Sequence, residues 1–276
     1  MMFTALETAQ KIEEADIIHL TQQVKVCAEL FPEQTIAAQP VGGGVAAVTM
    51  TVFGRKLNHI VGFGMSGKVS REDLIAIEAL YSSKDVAVEV DLCPYADATA
   101  LQALALGEYA VNGFVNVYAR AITETDLQET YSGEITISCV APDRAEDFVR
   151  CSVEGFAVTG RPTILLETLA RVATMRADTR LYFAIIDGKI AGSAGLALIE
   201  TSKGGVAHLY IDSAVPEYRG RGVQAALLRA RLSDARRSGF DFAIVQARPS
   251  NVSARNAGLA GFSLVYTKPT FSKQLK

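Results

Sequence analysis

One stretch, VAHLYIDSAVPEYRGRGVQAALL at residues 206–228, restricts the fold more than any other. Val206 to Ile211 is a strand-like run and Pro216 marks a turn. Gly220 and Gly222 then alternate with Arg219 and Arg221 directly before a helical pattern, in which Val223, Ala226, Leu227 and Ala230 recur at helical spacing. A helix that begins at a glycine pair points its unpaired amides and positive dipole end into the loop. Glycine also permits left-handed backbone and close approach of another molecule, while the arginines add charge. Residues 219–225 are therefore a candidate site for an anionic diphosphate.

Composition limits what surrounds that site. A chain of 276 residues, 49% apolar, holds one large domain or two ordinary ones. A formal net charge of −3 argues against a broad nucleic-acid surface, so any anion site must be local. Cys27, Cys93, Cys139 and Cys151 are widely spaced and, with three scattered histidines, make no metal signature; no metal is expected. The opening MMFTALETAQKIEEAD carries acidic residues and no apolar core of the signal-peptide kind, and no run is long enough to span a bilayer. The expectation is a cytoplasmic protein without membrane or nucleic-acid partners.

Taken in order, the first half opens with a long helix, begun by a Thr4–Glu7 capping pattern and ended at Phe31-Pro32. Antiparallel strands follow over 36–40, 45–53 and 58–63, with Gly42 to Gly44 as a hairpin turn. A helix over 70–81 with Ser70 as cap, a strand over 86–92, a short helix capped by Asp97 and a strand over 114–119 complete it. Thr123 to Gly133, polar and without apolar period, reads as a linker. In the second half a strand over 135–140 precedes helices over 142–154 and 164–176. A hairpin turns at Asp187-Gly188, then come the central strand, loop and helix, with Arg236-Arg237-Ser238-Gly239 closing the helix. A strand over 240–247, a helix over 253–260 and a strand opened by Gly261-Phe262 and running through Tyr266 finish the chain. The two halves share one order of elements, which implies a structural duplication in an α+β fold with domains at 1–122 and 134–276.

Residues 206–266 resemble the core of the GCN5-related N-acetyltransferases. The family's pyrophosphate loop, Arg/Gln-x-x-Gly-x-Gly/Ala, stands here as Arg219-Gly220-Arg221-Gly222-Val223-Gln224, with Gln in the last place and Ala225 next. The segment SNVSARNAGLAGF similarly resembles the helix and Gly-Phe turn near the acetyl group. The resemblance implies two such modules, each a mixed, mostly antiparallel sheet flanked by helices. It also implies acetyl-CoA as cosubstrate and direct attack by an amine acceptor on the thioester. Cofactor contacts would then come from Ser213, Ala214, Val215, Arg219, Gly220, Arg221, Gly222, Val223, Gln224, Ala225, Ser253 and Asn256, with the backbone N–H near Ala214 facing the thioester oxygen. Many members place an acid Tyr four residues before the Gly of the turn, where Ala257 stands here. Strand alternation puts His208, Tyr210 and Asp212 on one face, making His208 a candidate base with Tyr210 beside it. A non-catalytic CoA sensor is the other reading, and the assembly is expected to be a monomer or homodimer.

The first half holds a rival motif. Gly62-Phe63-Gly64-Met65-Ser66-Gly67-Lys68 fits a nucleotide phosphate loop, but Val69 occupies the metal-binding Ser/Thr place and the flanking strands read as antiparallel. The loop lies where 219–224 lies in the second half but lacks its arginines, as in a degenerate module that binds no coenzyme of its own.

Overall fold

The computed structural model describes residues 5–128 and 134–274; Thr4 and the end of the expected linker lie outside them. The chain forms two compact units. Unit 1 comprises residues 1–117, 246–251 and 264–276, and unit 2 comprises 118–245 and 252–263. The units are discontinuous, so residues 246–251 and 264–276, which the sequence reading assigns to the second half, pack in unit 1.

Unit 1 begins with α1 (Leu6–Leu30), followed by the hairpin β1 (Ala37–Val41) and β2 (Gly44–Val48). The strand expected over 45–53 stops at Val48, and Thr51–Lys56 forms a 3-10 turn around Gly54, whose φ is 48°. β3 (Ile60–Val61), α2 (Arg71–Ser82), β4 (Val88–Asp91), α3 (Ala98–Leu106) and β5 (Ala110–Ala121) follow; the last residues of β5 belong to unit 2. β3 and β4 are parallel, Ile60 opposite Val90, which corrects the antiparallel expectation: the helix between them is a crossover. Period-two alternation explains the layers. Val45, Ala47 and Val61 pack with Leu20 and Val24 of α1. Ala46, Val48, Val88 and Val90 pack with Leu74, Ile77 and Tyr81 of α2 and with α3. β2 is buried throughout because helices cover both its faces.

Unit 2 contains a 3-10 turn at Glu124–Leu127, β6 (Thr136–Cys139), α4 (Ala145–Phe156) and α5 (Thr163–Met175). Next come β7 (Thr179–Ile186), β8 (Lys189–Thr201), β9 (Gly204–Ala214), α6 (Val223–Arg237), β10 (Phe242–Ala247) and α7 (Val252–Leu259). β6 to β9 form an antiparallel meander, and β10 lies parallel to β9 through Ala243–Ala207 and Ile244–His208. The hairpin turn uses Asp187 and Gly188 at φ 52° and 74°. α6 packs on one face with Leu196, Ala207 and Leu209; α4 and α5 pack on the other around Phe148 and Phe183. The final strand, β11 (Ser263–Lys273), runs seven residues beyond Tyr266 because its end pairs with β4, Thr270 opposite Asp91. Among the described residues no helix is long and apolar enough to cross a membrane. Each unit is thus a mixed, mostly antiparallel sheet flanked by helices.

Candidate functional site

The sequence places two glycines before α6, and the structure shows why both are needed. Gly220 and Gly222 have φ of 78° and 85°, a left-handed backbone that other residues adopt only under strain. Packing does not explain them: a side chain at Gly220 would meet nothing within 4 Å, and at Gly222 only Ile135 at 3.8 Å. Their outer side is open. Gly222 is the N-cap of α6 and the helix start has no side-chain cap. Open glycines before an uncapped helix N-terminus are what a phosphate group requires.

The two arginines have different tasks. Arg219 donates from Nη2 to Gly155 O at 2.9 Å and from Nε to Ala214 O at 3.3 Å, tying the loop to the ends of α4 and β9. Arg221 is exposed, stands over the Tyr218 ring at 5.7 Å and lies 3.3 Å from Glu134 and 4.0 Å from Asp187, both exposed carboxylates, so it adds charge at the loop. Across from the first turn of α6, Asn256 donates to Gln224 Oε1 at 2.6 Å and Gln224 lies 3.5 Å from Ser253 Oγ. Thus Gln224, Ser253 and Asn256 come together beside the uncapped amides, although the loop pattern has Gln where Gly or Ala is usual.

β9 differs from the simple alternation read from sequence. Ile211 has φ 52°, and the β8–β9 register slips between the pairs Gly195–Tyr210 and Ser193–Ser213, the signature of a bulge. One extra residue reverses the faces beyond it. Tyr210 and Ile211 both pack toward α4 and α5. Asp212, expected beside His208 and Tyr210, instead turns to α6 and pairs with Arg231. Arg231 is fully buried and also donates to Gly195 O at 2.9 Å and Leu227 O at 3.0 Å. It joins α6, whose start is the candidate anion site, to the bulged strand. Sequence reasoning missed it; the available signal was a lone arginine four residues after Leu227 on the apolar stripe.

Beyond the bulge, Ser213 faces α4, its hydroxyl 2.9 Å from Ser193 Oγ, and a side chain at Gly155 would strike it at 2.6 Å. Val215 N–H donates to Ala191 O at 3.0 Å. Ala214 lies between them, its carbonyl taken by Arg219. The side chain of Ser213 and the amide of Val215 are therefore occupied within the fold, which leaves the backbone around Ala214 as the part of the strand end able to serve a ligand.

His208 is buried, in the ladder pair with Ile244, and its ring centroid lies 5.9 Å from that of Tyr210. Tyr210 Oη is 2.9 Å from Thr179 Oγ1, and Arg176 stands over its ring at 5.7 Å. Desolvation raises the Tyr210 phenol pKa, so the hydroxyl remains protonated. Ala257 is buried in the core, where its carbonyl accepts from Phe262 N–H at 3.0 Å.

The corresponding loop of unit 1 is packed in at its first two glycines and open at Gly67, whose φ is 133° and where a side chain would meet nothing within 4 Å. A side chain at Gly62 would meet Ile17 at 2.4 Å and one at Gly64 would meet Ala100 at 2.7 Å, so these glycines serve packing. Gly64 N–H donates to Gly42 O at 2.8 Å and Val69 N–H to Thr99 Oγ1 at 2.8 Å. Ser70 caps α2 in a capping box with Asp73. Although the flanking strands are parallel, the amides of Gly64, Met65, Val69 and Ser70 are bonded within the fold and the start of α2 is capped.

Residues 146–260 match the model of the acetyltransferase (GNAT) family. No curated protein matches the sequence. Among solved structures, a GCN5-related N-acetyltransferase from Kribbella flavida is 13% identical with a TM-score of 0.67, the match covering 97% of this chain and 96% of that one. One from Sphaerobacter thermophilus is also 13% identical, with a TM-score of 0.58 and coverage of 96% and 93%. A tandem GNAT protein from the clavulanic acid biosynthesis pathway is again 13% identical, with a TM-score of 0.62 and coverage of 96% and 94%. At such identity these likenesses concern the fold, and they extend over both units. Residues 146–260 therefore match the acetyltransferase (GNAT) family, in a chain whose fold is like those of a GCN5-related N-acetyltransferase and of a tandem GNAT protein.

Proposed function

We propose that the chain is an acetyl-CoA-dependent N-acetyltransferase in which unit 2 holds the coenzyme and acts on an amine. The observation carrying this reading is the open, left-handed Gly220–Gly222 loop before the uncapped start of α6. The pyrophosphate would lie on the amides of residues 222–225, with Arg221 supplying charge. The peptide-like arm of CoA would lie along β9 toward Ala214, beyond its ladder with β10. A backbone N–H there would meet the charge that develops on the thioester oxygen as a neutral amine attacks the carbonyl carbon. The amine gives up a proton, for which His208 is the candidate base, reached through a relay because it is buried. The carbon–sulfur bond then breaks and CoA leaves as the thiolate. With Ala257 in the core, that thiolate takes its proton from Tyr210 or from solvent. We take the modules to be 1–122 and 134–276, with β11 packed in unit 1.

A second reading, a CoA-binding sensor without turnover, is favoured by the burial of His208 and by Ala257. Release of free CoA thiol from acetyl-CoA across a panel of amines separates the two. Acceptor-dependent release supports the transferase; tight binding with no release from any amine supports the sensor.

A further inference from the structure

Unit 1 carries a pocket of about 300 Å³ lined in part by Arg55, Glu89, Asn112, Phe114, Arg248 and Thr270. Its volume is at the small end of ligand sites. Its wall has an uneven charge balance. Arg55 clamps both oxygens of the buried Asp91 through Nη2, and Thr270 Oγ1 donates to Asp91 at 2.6 Å, so the hydrogen bonds of the guanidinium go to Asp91 and Thr270 through that one nitrogen. Glu89 is left with Arg55 Nε at 3.0 Å from Oε2, a contact without hydrogen-bond alignment. Two carboxylates thus share one guanidinium, and the less satisfied one lines the pocket. Arg248 is exposed at the rim and near enough for its charge to act on the Glu89 carboxyl. Asn112 is also exposed, and Phe114 presents a half-exposed ring.

A simple cation would be repelled by Arg248 and a simple anion by Glu89. We propose that this pocket binds a free α-amino acid, with its ammonium on Glu89, its carboxylate on Arg248 and Asn112, and its side chain against Phe114. The site is separate from the coenzyme loop and does not depend on acetyl transfer. Calorimetry on the full chain, without acetyl-CoA, tests it with a panel of free L-amino acids and with the N-acetyl and carboxamide forms of the best binder. Blocking either end of the ligand should weaken binding about tenfold or more, one charge-assisted contact being lost. Glu89→Gln should abolish the preference for the free amine and Arg248→Ala the preference for the free carboxylate, with acetyl-CoA affinity unchanged in both. Because Arg248 is exposed, its variant folds even if Glu89→Gln does not. Failure of every free amino acid to bind, or binding indifferent to end-blocking or to Arg248→Ala, overturns the proposal.

Discussion

Two arginines separated by one glycine do unlike work. Arg221→Ala removes loop charge and exposed surface contacts worth little to the fold, so it should weaken acetyl-CoA binding by about 1–3 kcal/mol and change the melting temperature little. Arg219→Ala also breaks the ties to Gly155 and Ala214 and should lower both, as calorimetry and thermal melts on the pair will show. A different residue governs pH response in unit 1. His59 is half-buried, its enclosed Nδ1 without a hydrogen bond, and desolvation lowers its pKa from 6.5 to about 4. A depressed folded pKa means that stability is complete above the unfolded value and is lost as pH falls through the folded one. Between pH 6.5 and 4 the protein should therefore lose about 3 kcal/mol through this group. His59→Phe should flatten that part of the stability profile in denaturant melts; an unchanged slope contradicts the assignment. Single residues were also where the sequence was hardest to read. The role of Arg231 depends on a bulge at Ile211, and no spacing rule forecasts an extra residue in a strand.

At the scale of elements, the two strand–loop–helix crossovers contain the same kinds of residue in opposite states. Gly62 and Gly64 before α2 are hemmed in and Ser70 caps the helix, whereas Gly220 and Gly222 before α6 are both open and α6 has no side-chain cap. Gly64→Ala should cost about 2–4 kcal/mol of stability, combining backbone strain with overpacking against Ala100. Gly220→Ala incurs the strain alone, about 1–2 kcal/mol. Equal costs in thermal or denaturant melts would show that the loops do not differ as described. Caps and hairpins were legible because their chemistry is local: Ser70, Asp97, Asp187-Gly188 and the closing Ser238-Gly239 all stand where their side chains or glycines predict. Strand direction around α2 was not legible, because β3 has only two residues and its parallel partner lies beyond a helix. The pairing of the end of β11 with β4 is likewise set by residues far apart in sequence, to which local pattern is blind.

For the whole molecule, the repeated order of elements announced the duplication, and the shared fold extends across the chain at 13% identity to its solved likenesses. What distinguishes the units is which helix N-terminus still has amides to give. Sequence hinted at this through the missing arginines and the Val69 position; the Ser70–Asp73 capping box at the start of α2, absent at α6, supplies the physical reason. The central claim is that unit 2 alone receives the coenzyme, and titration calorimetry of the full chain with acetyl-CoA tests it most directly. One equivalent should bind, with affinity reduced by Arg221→Ala and Gly222→Val and unaffected by Lys68→Ala. Two equivalents, or a single equivalent weakened by Lys68→Ala and indifferent to Arg221→Ala and Gly222→Val, would contradict it.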